Sequence, residues 1–368
     1  MIKTLIQGLN EKDMQAVVNT LDLKPFYYPT LFPLMPQSLL TFKTLEAQAG
    51  LKVAADVVSF NASIPKKTRD AIARVEGDIP KIGISREKLE TDLNEYRIML
   101  ALAGGDTSKV ELVNFWAEDA EFCWNGIASR VEWIALKALS LSKVSFTTGN
   151  NASVVSQYDI DYAIPATQKI GFQTGSASWA AGVTAKPISK DFKNAVALAK
   201  SKGFSVKFAW MNMENFANFV SQTEVIQMCA SFANNALNIS QTPDLATVNA
   251  ALSRQPWLYG LQIKVIDQDI TVESPDGTRT TGNPFENDVV TFTESNVLGK
   301  TYYAPLADEI IEGSVAIKVK RGHTLIKKYA EETPVREITE GLANVFPAWN
   351  GAGRSILMQT NNATTWAK

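Results

Sequence analysis

Residues 265–293 read VIDQDITVESPDGTRTTGNPFENDVVTFT. Apolar residues alternate through Leu261, Ile263 and Val265 and then restart at Ile266, Ile270 and Val272, so the pattern slips by one position at 265/266. A β-bulge is the simplest cause of such a slip. Asp267, Asp269, Thr271 and Glu273 share the outer face, Pro275-Asp276-Gly277 supplies turn chemistry, and NDVVTF (287–292) opens the next strand. No group in this stretch is poised to react, which makes it scaffold or contact surface.

Around this ribbon, helical and strand patterns mix without a steady β-α-β rhythm, which argues for an α+β fold. Asn10 caps a helix striped by Met14, Val17, Val18 and Leu21 and stopped at Lys24-Pro25. PFYYPTLFPLMP (25–36) then places four prolines in twelve residues, which forbids a helix or a central strand and predicts an extended arm. Its Phe26, Tyr27, Tyr28 and Phe32 need a surface to cover them, on their own domain or on a neighbour. Strand-like pieces at 51–60 and 79–90 flank a stretch with Lys66, Lys67, Arg69 and Arg74, the signature of a two-stranded excursion with a charged tip. Such a ribbon is marginal alone and leans on something outside itself.

Gly104-Gly105 reads as a helix breaker. After it, Ser108-x-x-Glu111 opens a helix over about 107–141 whose apolar positions recur at helical spacing. At ~1.5 Å per residue it spans roughly 50 Å, a spine rather than an ordinary helix. Further on, 143–148, 157–164 and 204–210 read as strands, and 187–203, 213–235 and 243–253 as helices.

The chain of 368 residues has room for two or three packed units. No apolar run is long enough for a membrane span, and the N-terminal stretch is too weakly apolar for a secretory signal, so the expectation is a cytoplasmic protein with no membrane partner. A formal net charge of −2 offers little to phosphate, and a dedicated nucleic-acid reader is not expected. The single histidine, His323, and two distant cysteines, Cys123 and Cys229, cannot build the usual zinc ligand sets. His323 is expected in a solvated loop and both thiols in apolar, inert settings. Phosphate-loop, dinucleotide and nucleophile-elbow motifs are absent from the sequence. Glu118/Asp119/Glu121 and Asp159/Asp161 are read as solvated faces, with a hydrolase built on such a carboxylate pair kept as an alternative. No catalytic residue, cofactor or metal is expected.

The succession FYYPTLFP (26–33), the excursion, a helix ending SRVEWIALKALSLSKVSF (129–146), SASWAAGVTAKPISKDF (176–192) and WLYGLQIKVIDQDITVESPDGTRTTGNPFENDVVTF (257–292) resembles the lambda-type major capsid protein family of tailed phages. GLANVFPAWNGAGRSILMQT (341–360) is similar to that family's terminal segment. The resemblance implies the HK97-like capsid fold. Residues 1–50 would be the N-terminal arm, 51–92 the E-loop, 93–180 the P-domain with its spine helix, 181–312 the A-domain, and 313–368 a return to the P-domain. It implies self-assembly, as hexamers and pentamers, into an icosahedral shell around double-stranded DNA. Portal and scaffolding proteins, and a decoration protein, would be partners, with the DNA contacted only non-specifically. The location would be the virion capsid, assembled in the host cytoplasm. An encapsulin-like compartment shell is the same-fold alternative. Phe26, Tyr27, Tyr28, Phe32, Lys66, Lys67, Arg69 and Arg74 are the expected inter-subunit contacts, and removing residues 1–36 is expected to leave a folded monomer that cannot assemble.

Overall fold

A computed structural model of the chain describes residues 3–47, 72–147, 149–151, 159–171, 177–230, 242–258, 260–274, 276–311, 314–361 and 366–368. It divides into two compact units, one of 1–42, 76–135 and 300–348, the other of 43–75, 136–299 and 349–368. The mixture of helices with mostly antiparallel sheet is the expected α+β class.

The first unit is built on a six-stranded sheet. Its axis is the strand Val335–Trp349, nearly all of it buried, which pairs along one side with Thr324–Glu332 and along the other with Lys81–Leu89. Leu89, Lys88 and Glu87 face Arg336, Glu337 and Ile338 in that register. The strand expected at 79–90 is therefore present, and among the described residues it pairs with this C-terminal strand. The excursion's described flanks are Thr41–Ala47 and Ile72–Asp78, which form a two-stranded ribbon.

The helix Glu11–Val18 begins at Asn10, whose side chain accepts from the amides of Lys12 and Asp13. It buries Met14 and Val18 and ends at Asn19, several residues before Pro25. A second helix, Glu90–Leu102, has a weak apolar stripe, which is why its sequence reads poorly. Gly104 and Gly105 end it at φ +68° and +84°, a region closed to most side chains, and the Gly105 amide donates to the Leu100 carbonyl.

The long helix is Val110–Leu141, 32 residues. Its first half is amphipathic, with Leu112, Trp116, Ala120, Cys123 and Trp124 in a core shared with Ile6, Leu9, Ile317, Val319 and Ile326. Gly341 and Gly126 let helix and sheet touch. A Cβ at Gly341 would come within 2.9 Å of the Cys123 Cβ and carbonyl oxygen, and one at Gly126 within 2.6 Å of the Ile84 Cδ1.

The second unit carries a five-stranded sheet in the order Lys169–Ile170, Ile356–Gln359, Val289–Thr293, Phe208–Asn212, Gln262–Ile266. All of Val289–Thr293 is buried, as its unbroken apolar and threonine run requires of a central strand. The register slip at 265/266 is no bulge. Gln262–Ile266 ends parallel to Phe208–Asn212, the chain leaves the sheet at Asp267, and Ile270–Glu273 starts a separate hairpin with Arg279–Gly282. Two strands belonging to different sheets need share no register.

Aromatic packing fills this unit's core: Phe192 lies between Phe219 and Phe292 at centroid distances of 5.4 and 5.2 Å. The helix expected from Pro187 opens as a π-helical turn, Pro187–Phe192, and continues as Lys193–Ser201, stopped by Gly203 at φ +84°. The region 213–235 breaks into Met213–Val220 and Thr223–Cys229 at the buried Gln222, whose amide donates to the carbonyls of Trp179, Gly182 and Asn218.

Candidate assembly surfaces

The proline-rich arm adopts more regular structure than its composition suggested. Tyr28–Leu31 forms one helical turn with Pro29 in its first positions, where a missing N–H costs nothing. Leu34–Pro36 forms an edge strand parallel to Thr301–Tyr303, the place in a sheet that tolerates proline.

Tyr28 and Phe32 are fully buried within the first unit. They are core residues of their own subunit and not the inter-subunit contacts expected of them. The reason is a seat built for them: both oxygens of Glu132 accept from the arm, one from the Tyr27 amide at 2.9 Å and one from the Tyr28 amide at 2.7 Å. The Phe32 carbonyl accepts from the Thr301 hydroxyl. Phe26 and Tyr27 are left half-buried.

His323 also departs from expectation. It follows the turn at Gly322 in sequence, but it is buried, 3.4 Å from the Tyr28 hydroxyl through Nε2 and packed edge-on against the Tyr28 ring. Trp124 and Tyr303 flank it. Burial among these rings pulls its pKa down to about 4, so the imidazole is neutral near pH 7. Burial pushes Glu132 the other way, up to about 7, with the two arm amides opposing the rise.

Glu132 escaped the sequence reading, although a signal existed. It is the lone acid in VEWIALKAL (131–139), where the helix is apolar on every side and a carboxylate has no wet face to occupy. Glu337 is a second such group. Fully enclosed, it accepts from the Thr4 hydroxyl and the Leu5 amide and lies 3.8 Å from the buried ammonium of Lys328. Desolvation lowers the pKa of Lys328, with Glu337 and Asp119 acting against it.

The expected tip residues Lys66, Lys67 and Arg69 lie outside the described residues, and so does the expected strand 51–60. Arg74 falls within the strand Ile72–Asp78, on a flank of the ribbon. Just before that ribbon, Leu39 and Leu40 stand 65% and 54% exposed, and on the loop after Ala307–Glu309 Ile310 is 78% exposed.

The acidic groups do not form a catalytic pair. Glu118 and Glu121 are exposed, whereas Asp119, expected on the same solvated face, is buried and bonded to Lys88 at 3.2 Å and Arg86 at 3.5 Å. Helical geometry turns neighbours in sequence to different sides, so only one of the three meets the sheet. Asp159 and Asp161 are exposed on a short strand. Among the described residues no group of His, Cys, Asp and Glu could hold a metal ion, and no helix is long and apolar enough to cross a membrane. Cys123 is buried and its thiol pushed up to about 12 by desolvation and then by Asp119.

No curated protein matches the chain. Among solved structures, a protein assigned as the capsid protein of an Escherichia coli CFT073 prophage superposes with a TM-score of 0.57 at 16% identity, covering 95% of this chain and 99% of that one. A phage-related protein from Bordetella bronchiseptica RB50 superposes with a TM-score of 0.53 at 14% identity, covering 94% and 96%. These likenesses establish the fold, the HK97-like capsid fold. The sequence pattern described as phage major capsid protein E matches residues 12–348, nearly the whole chain, and the chain belongs to that phage major capsid protein family.

Proposed function

We propose that this shell-forming capsid protein assembles as hexamers and pentamers into the icosahedral head that encloses a phage's double-stranded DNA, contacting the DNA only non-specifically. The family match across residues 12–348 carries the reading. Its role is structural in this reading: Glu118 and Glu121 are exposed, Asp119 is spent on ion pairs with Lys88 and Arg86, and both thiols are pushed above their ordinary range by burial. A shell subunit needs surfaces that gain stability only on copies of itself and a net charge small enough for many copies to approach. The ribbon, Leu39, Leu40 and Ile310 fit the first need, and a formal charge of −2 fits the second.

In this reading the strands Thr41–Ala47 and Ile72–Asp78 belong to the E-loop, Val110–Leu141 is the spine of the P-domain, and the five-stranded unit is the A-domain. Phe26 and Tyr27, with Lys66, Lys67, Arg69 and Arg74, are the contacts to neighbouring subunits. Portal and scaffolding proteins join assembly, which takes place in the host cytoplasm. Negative-stain microscopy of the purified chain tests the proposal: closed shells or rings of five and six are expected, and a compact monomer at every concentration would overturn it.

A further inference from the structure

The triplet Trp-Asn-Gly occurs twice, as Trp124-Asn125-Gly126 and Trp349-Asn350-Gly351. An asparagine before glycine is open to attack by its own main chain, because glycine puts no side chain in the path of the next amide. The fold treats the two copies differently. Asn125 is exposed, but it stands in the middle of Val110–Leu141, where the Gly126 amide belongs to the helical ladder. Asn350 stands in the turn between Val335–Trp349 and Ala352–Arg354. Its amide donates to the Leu298 carbonyl and the Gly351 carbonyl accepts from the Arg354 amide, both at 3.1 Å, which fixes the turn. Among the described residues the Gly351 amide donates to nothing, and the Asn350 Oδ1 is buried without a partner, so no hydrogen bond of either group opposes their approach. Both residues line a cavity of about 230 Å³ within the second unit, together with Glu294, Trp349, Arg354 and Ser355.

We propose that Asn350 is a self-modification site, converted in the folded chain to aspartate and isoaspartate with water as the only co-reactant. The Gly351 nitrogen loses its proton to hydroxide, bonds to the Asn350 Cγ and expels the side-chain nitrogen as ammonia, which closes a five-membered succinimide. Water then adds to one of the two ring carbonyls and breaks its bond to the ring nitrogen. Opening at the side-chain carbonyl leaves aspartate, and opening at the main-chain carbonyl leaves isoaspartate. The net change is the exchange of an amide NH2 for an acid OH, a new negative charge on the cavity wall. Arg354 stands ready for that charge: its Nη2 pairs with Glu294 at 3.0 Å, while its Nε is buried without a partner. Isoaspartate also routes the main chain through one more methylene, just past 348/349, where the chain passes from the first unit to the second. The chemistry belongs to a single chain and stands whether or not the assembly proposal does.

Peptide mapping by mass spectrometry tests it, on the full-length chain aged at mildly alkaline pH in native buffer and, in parallel, in denaturant. In native buffer Asn350 should show the NH2-for-OH exchange and yield isoaspartate. Asn125 should lag by at least about tenfold, a factor that 1.4 kcal/mol of helix opening already supplies. In denaturant, where the helix is gone, the two sites should react at closely similar rates. Gly351→Ala should slow Asn350 severalfold by narrowing the conformations that bring the amide onto the side chain. That variant keeps the fold, since a Cβ at Gly351 meets nothing nearer than the Leu298 carbonyl oxygen at 4.0 Å. A native chain in which Asn350 stays intact, or reacts no faster than Asn125, would overturn the site. Conversion to aspartate alone, at an unchanged rate in Gly351→Ala, would overturn it too, since the Gly351 amide would then not be the attacking group.

Discussion

At the scale of single residues, the two glycines that bring the long helix onto the sheet separate two kinds of crowding. A methyl at Gly341 meets the Cys123 main chain and Cβ, which cannot yield without moving the helix. A methyl at Gly126 meets the end of the Ile84 side chain, which can turn to another rotamer. Gly341→Ala is therefore expected to destabilise by about 3 kcal/mol and Gly126→Ala by about 1 kcal/mol or less, read from denaturant midpoints of the unassembled chain. Equal losses would show that crowding against the Cys123 main chain costs no more than crowding against the Ile84 side chain. Glu337 offers the electrostatic counterpart. Glu337→Leu strands the Lys328 ammonium and removes the acceptor for Thr4 and Leu5, with an expected cost of roughly 3–5 kcal/mol. The double change with Lys328→Met should recover most of it, and no recovery would mean that the pair is not coupled.

At the scale of elements, the arm and the ribbon part company. The expectation that residues 1–36 are dispensable for folding does not survive the burial of Ile6, Leu9, Met14, Val18, Tyr28 and Phe32. Their deletion is now expected to abolish cooperative unfolding of the first unit, and a deletion variant with wild-type circular dichroism and melting temperature would contradict that. The ribbon makes the opposite prediction. Replacing Lys66, Lys67, Arg69 and Arg74 together by Glu should leave stability within about 0.5 kcal/mol and block shell formation at low salt. Rising salt should relieve the block as the Debye length shrinks. Normal shells at low ionic strength, seen by light scattering, would mean that these charges contact nothing. A single substitution among the four should do little, because an exposed ion pair contributes about 0–1 kcal/mol.

At the scale of the whole molecule, a shell subunit of this kind should need no metal, and elemental analysis of purified particles should find no stoichiometric transition ion; finding one would reopen the question of chemistry. Much of this could be read before any coordinates. The α+β class, the long helix, the breaks at Gly104-Gly105 and Gly203, and the capping at Asn10 follow from period and punctuation within a few residues of one another, which a sequence displays directly. The order of blocks along the chain carried the family. What the chain could not show was which distant segments meet. The slip at 265/266 looks the same whether a strand bulges or ends, and only pairing with Phe208–Asn212 on one side and Arg279–Gly282 on the other decides between them. The strand Lys81–Leu89 takes a partner some 250 positions away. Asp119 and His323 read as ordinary surface residues until the sheet and the arm close over them. Burial of a polar side chain depends on contacts made across the fold, and local periodicity holds no record of those.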